Sequence, residues 1–210
     1  MSIEFIFNIF SSISGLFPVV AFVYNFKQLD KIFKIIAAFF ITASLFDIML
    51  WLLPAWGIGD NAPAVHVFVM INIAFFGVIY YVAFFDQRLK RLTIVLCAIA
   101  FLVAVYFTKN INVYPSESNT ASCIIFITLS LIFFFQLLSR QEFVHIEKQG
   151  LFWFNAGVLF YFSVNVFLFM LFNKIPKAEQ ESYFIIHSIT NIIANLLYTI
   201  GFLCKPQKIT

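Results

Sequence analysis

One carboxylate, Asp47, stands deep inside an apolar run that is long enough to cross a bilayer. An acid in that position is costly against lipid. It marks either a ligand, ion or proton site, or a neutral acid hydrogen-bonded between helices. Ser44, Trp51 and Pro54 share its face at helical spacing. No Lys or Arg lies inside any apolar run, which leaves His187 as the only cation able to pair with it. His187 opens a second constellation in the last apolar run. His187, Asn191 and Asn195 follow at i, i+4 and i+8, and Tyr198 comes three residues later. At about 100° per residue these four span an arc of roughly 80°. Amides and an imidazole are expensive against lipid, so the stripe must face protein or water. Its members either line a site or join helices by hydrogen bonds. Asn72, Asn155 and Asn165 are further amides inside apolar runs.

These residue types can bind a polar ligand or carry a proton. They do not assemble a hydrolytic centre. The chain has no G-x-S-x-G, no H-E-x-x-H and no second intramembrane carboxylate, so no catalytic residue is assigned. His66, His145 and His187 are too scattered for a metal site, and His66 and His145 are expected to be solvated. Cys97, Cys123 and Cys204 lack C-x-x-C or metal-ligand spacing and read as small apolar residues.

The elements that must position these groups follow from composition. The 210 residues are 62% hydrophobic and 11% charged, whereas a soluble domain carries about 25% charged residues. The apolar segments are continuous rather than alternating, which excludes a β-barrel. The expected fold is an all-α membrane protein, a single domain of seven transmembrane helices. Their expected ranges are about 3–26, 32–54, 64–85, 92–108, 120–138, 151–172 and 183–204. The first run has no basic n-region and reads as a span rather than a cleaved leader. Its Ser11, Ser14, Gly15 and Pro18 form a small-residue face suited to close helix approach. The fourth run has few polar groups and is expected to face lipid. The charged stretch 139–150 is expected to form a short amphipathic turn.

Charge sets the expected orientation. Lys27, Lys31, Lys34, Arg88, Lys90, Arg91, Arg140, Lys148, Lys205 and Lys208 fall in segments on one side, and only Lys109, Lys174 and Lys177 on the other. The positive-inside rule puts the N-terminus outside and the C-terminus in the cytoplasm. The net charge of +3 thus reflects topology, with no nucleic-acid partner. Counting along the helices puts Asp47, Asn72, Asn165, His187 and Asn191 roughly 6–12 Å below the outer boundary. The expected outcome is an outward-facing polar pocket built from the second, third, sixth and seventh spans. Asn155 pairing with Asn195, with Tyr198 below, forms an inner layer read as structural glue.

Two comparisons bear on cofactor and role. A retinal chromophore needs a Schiff-base lysine in the last helix, and 183–204 has none, so no cofactor is expected. F-N-A-G-V-L-F-Y-F-S-V-N at 154–165 and H-S-I-T-N-I-I-A-N-L-L-Y at 187–198 resemble a group of small, uncharacterised bacterial seven-helix membrane proteins. Some of that group are associated with two-component sensor kinases. The resemblance covers about the last third of the chain and implies a multi-pass protein of the bacterial cytoplasmic (inner) membrane. It also implies a sensory role. The expected function is a sensor or signalling module. It binds a small or lipidic ligand through Asp47, Asn72, Asn165, His187 and Asn191, and acts through a membrane or cytoplasmic partner. A small-solute or proton-coupled transporter is the alternative, and an intramembrane enzyme the third.

Overall fold

A computed structural model of the chain describes residues 3–57, 59–139 and 145–204, apart from the side chains of residues 177, 178 and 181. Arg140, Lys205 and Lys208, the side chain of Lys177 and residues 140–144 of the turn expected at 139–150 lie outside the described residues, while Ile146–Lys148 of that turn form a short 3-10 helix.

All regular structure among the described residues is helical. The α-helices are α1 (Ile3–Ser14), α2 (Leu16–Asn25), α3 (Lys31–Leu52), α4 (Ala62–Ala83), α5 (Gln87–Phe107), α6 (Ser116–Leu138), α7 (Gly150–Leu171) and α8 (Lys177–Leu203). Helices α1 and α2 are two halves of one span, interrupted at Gly15. Pro18, three residues on, has no N–H for the carbonyl of Ser14, and its ring crowds that turn. Among the described residues seven spans are long and apolar enough to cross a membrane.

Three helices begin earlier than hydropathy alone implies. Helix α5 starts at Gln87 because Asp86 caps it, accepting a 2.8 Å hydrogen bond from the Arg88 N–H. Helix α6 starts after Pro115 with Glu117 in its first turn, and α8 after Pro176 with Glu179 in its first turn. A polar first turn satisfies its backbone as well as an apolar one, so these starts lie beyond the apolar runs.

The spans form a closed ring in chain order. Each packs on the next, and α8 closes the ring against α1 and α2. Short connections make successive spans antiparallel. Helix α5 leans on α4 and α6 and buries only Thr93, Ala100 and Ala104, the outlying position expected of it. The exterior is apolar: Val23 is 67%, Leu102 68% and Phe135 73% exposed, which suits a lipid environment. Several hydroxyls within the helices are satisfied locally, with Thr42, Thr93, Ser122 and Thr128 donating to the carbonyl four residues back.

An aromatic cluster fills the middle of the bundle. Phe76 stacks on Phe126 at 4.5 Å and meets Phe162 edge-on at 5.4 Å. Phe40 and Phe154 flank Tyr198 at 4.9 and 5.5 Å. Gly157 makes this packing possible, because a Cβ there would lie 2.5 Å from Tyr198 Cε1. Gly150 has the same role where α7 starts beside the end of α8, since its Cβ would meet Gly201 O at 2.5 Å. Gly157→Ala is therefore expected to cost about 1–3 kcal/mol, read as a lowered melting temperature in detergent. Gly59→Ala, with nothing within 4 Å of its Cβ, is expected to leave the melting temperature unchanged.

Candidate functional site

A cavity of about 770 Å³ lies between α3, α4, α7 and α8, at the end of the bundle that carries the N-terminus. Asp47 comes from α3, Asn72 from α4, and His187 and Asn191 from α8. Expected residues of three helices thus meet in one space rather than on separate outer faces, and α7 joins them through Tyr161, Phe162 and Phe169. The floor is aromatic, with Phe39, Phe40, Phe76, Phe162 and Tyr198 at the cavity's inner limit.

The connecting segments make the rim. His66 is buried and its Nε2 lies 3.0 Å from the Val113 carbonyl, contrary to the solvated role expected of it. Asn173 Nδ2 donates to Tyr114 O at 2.9 Å, and Asn119 Nδ2 to the Tyr114 hydroxyl at 3.1 Å. Together these tie the 112–114 segment to α4, α6 and the α7–α8 connection. Burial pushes the Tyr114 hydroxyl well above its ordinary pKa, so it stays a neutral partner for Asn119.

His187 is oriented by an amide behind it. Asn165 Nδ2 donates to Tyr161 O at 2.8 Å, which turns its Oδ1 toward His187 Nδ1, 2.9 Å away. An amide oxygen only accepts, so Nδ1 carries the proton in this pair. Nε2 has no protein partner among the described residues and belongs to a side chain that lines the cavity. Tyr161, Phe169 and Phe184 pack their rings around the imidazole at 5.3–5.8 Å. Asn165 itself is 0% exposed and does not line the cavity. Its expected contact with ligand is replaced by a positioning role. His187, the one cation able to pair with Asp47, forms no ion pair with it, and the one ion pair among the described residues joins exposed His145 to Glu147.

Asp47 makes no hydrogen bond or ion pair within the described structure, although it lines the cavity. Asn72 Oδ1 is likewise buried without a partner. Ser44, on the same face of α3, lies in the wall and donates to Gly15 O at 3.5 Å. Trp51 instead points outward and donates from Nε1 to Ser12 Oγ at 3.2 Å.

The lower stripe of α8 serves two purposes. Asn191 Nδ2 donates to Ser11 Oγ and Asn195 Nδ2 to Ser14 Oγ, each at 2.9 Å. The small-residue face of α1 therefore supplies acceptors as well as room. Asn195 and Tyr198 also reach the cavity wall, beyond the purely structural role expected of them. Asn155 does not pair with Asn195. It accepts from the Tyr80 hydroxyl at 2.9 Å and donates to Leu151 O at 2.9 Å, while Ser130 Oγ donates to its carbonyl at 3.1 Å. These groups are at most 1% exposed and stand below the aromatic floor.

Sequence reasoning missed Tyr161. It lies one turn before Asn165 on the face already assigned to the pocket, and that spacing was the available signal. It also missed the rim amides Asn112, Asn119 and Asn173, whose composition signals only a turn.

No family model, curated protein or solved structure matches this chain. The arrangement of the site therefore carries the functional reading. Two outcomes check that arrangement. Tyr80→Phe strands the Asn155 oxygen and is expected to cost about 1–3 kcal/mol of stability, measured by thermal melting. With the three native cysteines replaced, Asn72→Cys is expected to react with a water-soluble maleimide, and Asn155→Cys to resist it.

Proposed function

We propose that this chain is a multi-pass protein of a bacterial cytoplasmic membrane that senses a small or lipidic ligand in the cavity around Asp47 and acts through a partner protein. In this reading the N-terminus and the cavity mouth face outward, and the C-terminus lies in the cytoplasm. Lys27, Lys31, Lys34, Arg88, Lys90, Arg91 and Lys148, all at the bundle end away from the cavity, support that orientation.

One observation carries the binding role. Two polar groups, the half-buried Asp47 carboxyl and the buried Asn72 Oδ1, line the cavity without a protein partner among the described residues. Buried polar groups left unpaired are costly, and a ligand that satisfies them recovers that cost. Ligand contacts divided between α3–α4 and α7–α8 would bias the spacing of these helices, which a partner at the opposite end can read. The aromatic floor favours sensing over passage, because it closes the cavity from the far end of the bundle. A proton-coupled carrier is the second reading, favoured by an acid and an imidazole in one cavity.

Equilibrium dialysis of the purified protein against a small-molecule cell extract, read by mass spectrometry, separates these readings. A sensor is expected to retain a compound that Asp47→Asn does not retain, with no accumulation inside proteoliposomes. Asp47-dependent accumulation in the lumen would overturn sensing in favour of transport, and chemical conversion of the compound would make the site an enzyme.

A further inference from the structure

The cavity offers donors at Asn72 Nδ2 and at the Tyr161 and Tyr198 hydroxyls, but its one acid without a partner among the described residues, Asp47, stands among further acceptors. Asp47 offers two carboxylate oxygens, Asn72 an unpartnered Oδ1, and His187 an Nε2 whose proton sits on the other ring nitrogen. The second acid of the wall, Asp60, is already engaged, its Oδ1 accepting from the Ala62 N–H at 2.9 Å. No lysine or arginine among the described residues lines the cavity. An anion would meet an uncompensated carboxylate, and a neutral ligand would leave its charge unanswered. The wall also carries eight phenylalanines and three tyrosines, whose ring faces attract cations. The volume of about 770 Å³ falls within the roughly 300–1,000 Å³ of organic-ligand sites. Among the described residues no cluster of His, Cys, Asp or Glu is suited to a bare metal ion.

We propose that the cavity takes an organic cation, with an ammonium or quaternary ammonium group against Asp47 and its apolar body among the aromatic rings. This rests on the reading that the cavity binds a ligand at all. The cation can be a free solute or the headgroup of an amino lipid, since both present the same charge to Asp47.

The test uses the full chain in a neutral maltoside detergent, titrated with three probes of similar shape. These are benzyltrimethylammonium, its uncharged carbon isostere neopentylbenzene, and benzenesulfonate. The cation is expected to bind at least about tenfold more tightly than either of the others. Asp47→Asn is expected to erase that preference and Asp47→Glu to keep it, with size-exclusion profiles and melting temperatures showing that both variants fold. If added phosphatidylethanolamine weakens binding of the soluble cation and phosphatidylglycerol does not, the source is the lipid headgroup. If neither lipid competes, the source is a free solute. Equal binding of the isostere or the sulfonate overturns the cation assignment and leaves a ligand cavity standing. So does a cation preference that survives Asp47→Asn. Failure of all three probes to bind overturns the assignment too, and retention from the cell extract then decides separately whether the cavity binds anything.

Discussion

The imidazole and amides along one face of α8 need partners inside an apolar bundle, and they find them on two neighbouring helices. His187 reaches Asn165 on α7, while Asn191 and Asn195 reach Ser11 and Ser14 on α1. Tyr198 lies in the notch left by Gly157 on α7 and against Phe40 of α3. Apolar surface alone does little to choose between helix neighbours in lipid, because lipid tails are as apolar as Leu. Hydrogen bonds and close fits do choose. In this way α8 closes the ring onto the first span, and the cavity exists because the ring closes there.

The same constraint divides the interior in two. Below the aromatic floor Tyr80, Asn155, Ser130 and Leu151 O form a closed set, while Gln149 Nε2, where α7 begins, is buried without a partner among the described residues. Above it, Asn72 Oδ1 is buried without a partner and Asp47 makes no hydrogen bond or ion pair among the described residues. Phe76, Phe126 and Phe162 separate the two regimes with rings 4.5–5.4 Å apart.

Asn165 shows how a residue outside the cavity wall can orient one that lines it. Its amide is fixed at one end by Tyr161 O, and the other end fixes the imidazole tautomer. The acceptor character of His187 Nε2 is thus decided one residue away from the cavity. The rim depends on similar indirect support, with His66 and Asn173 holding the 113–114 backbone in place.

The sequence by itself determined the helical class, the number of spans and the end of the bundle at which Asp47, Asn72, His187 and Asn191 gather. Apolar run length and a rise of about 1.5 Å per residue suffice for these, and neither depends on neighbours. The polar first turns of α5, α6 and α8 were not legible by hydropathy, since capping by Asp86 or a first-turn Glu117 leaves no apolar trace. Tertiary structure alone decided the partners. Helical periodicity says which residues share a face, but not which helix that face meets. Asn195 therefore bonds Ser14 rather than Asn155, His187 bonds Asn165 rather than Asp47, and Tyr161 joins the wall unannounced. That Asp47 remains unpaired is likewise a property of the closed ring, because a missing partner is visible only once every neighbour has been placed.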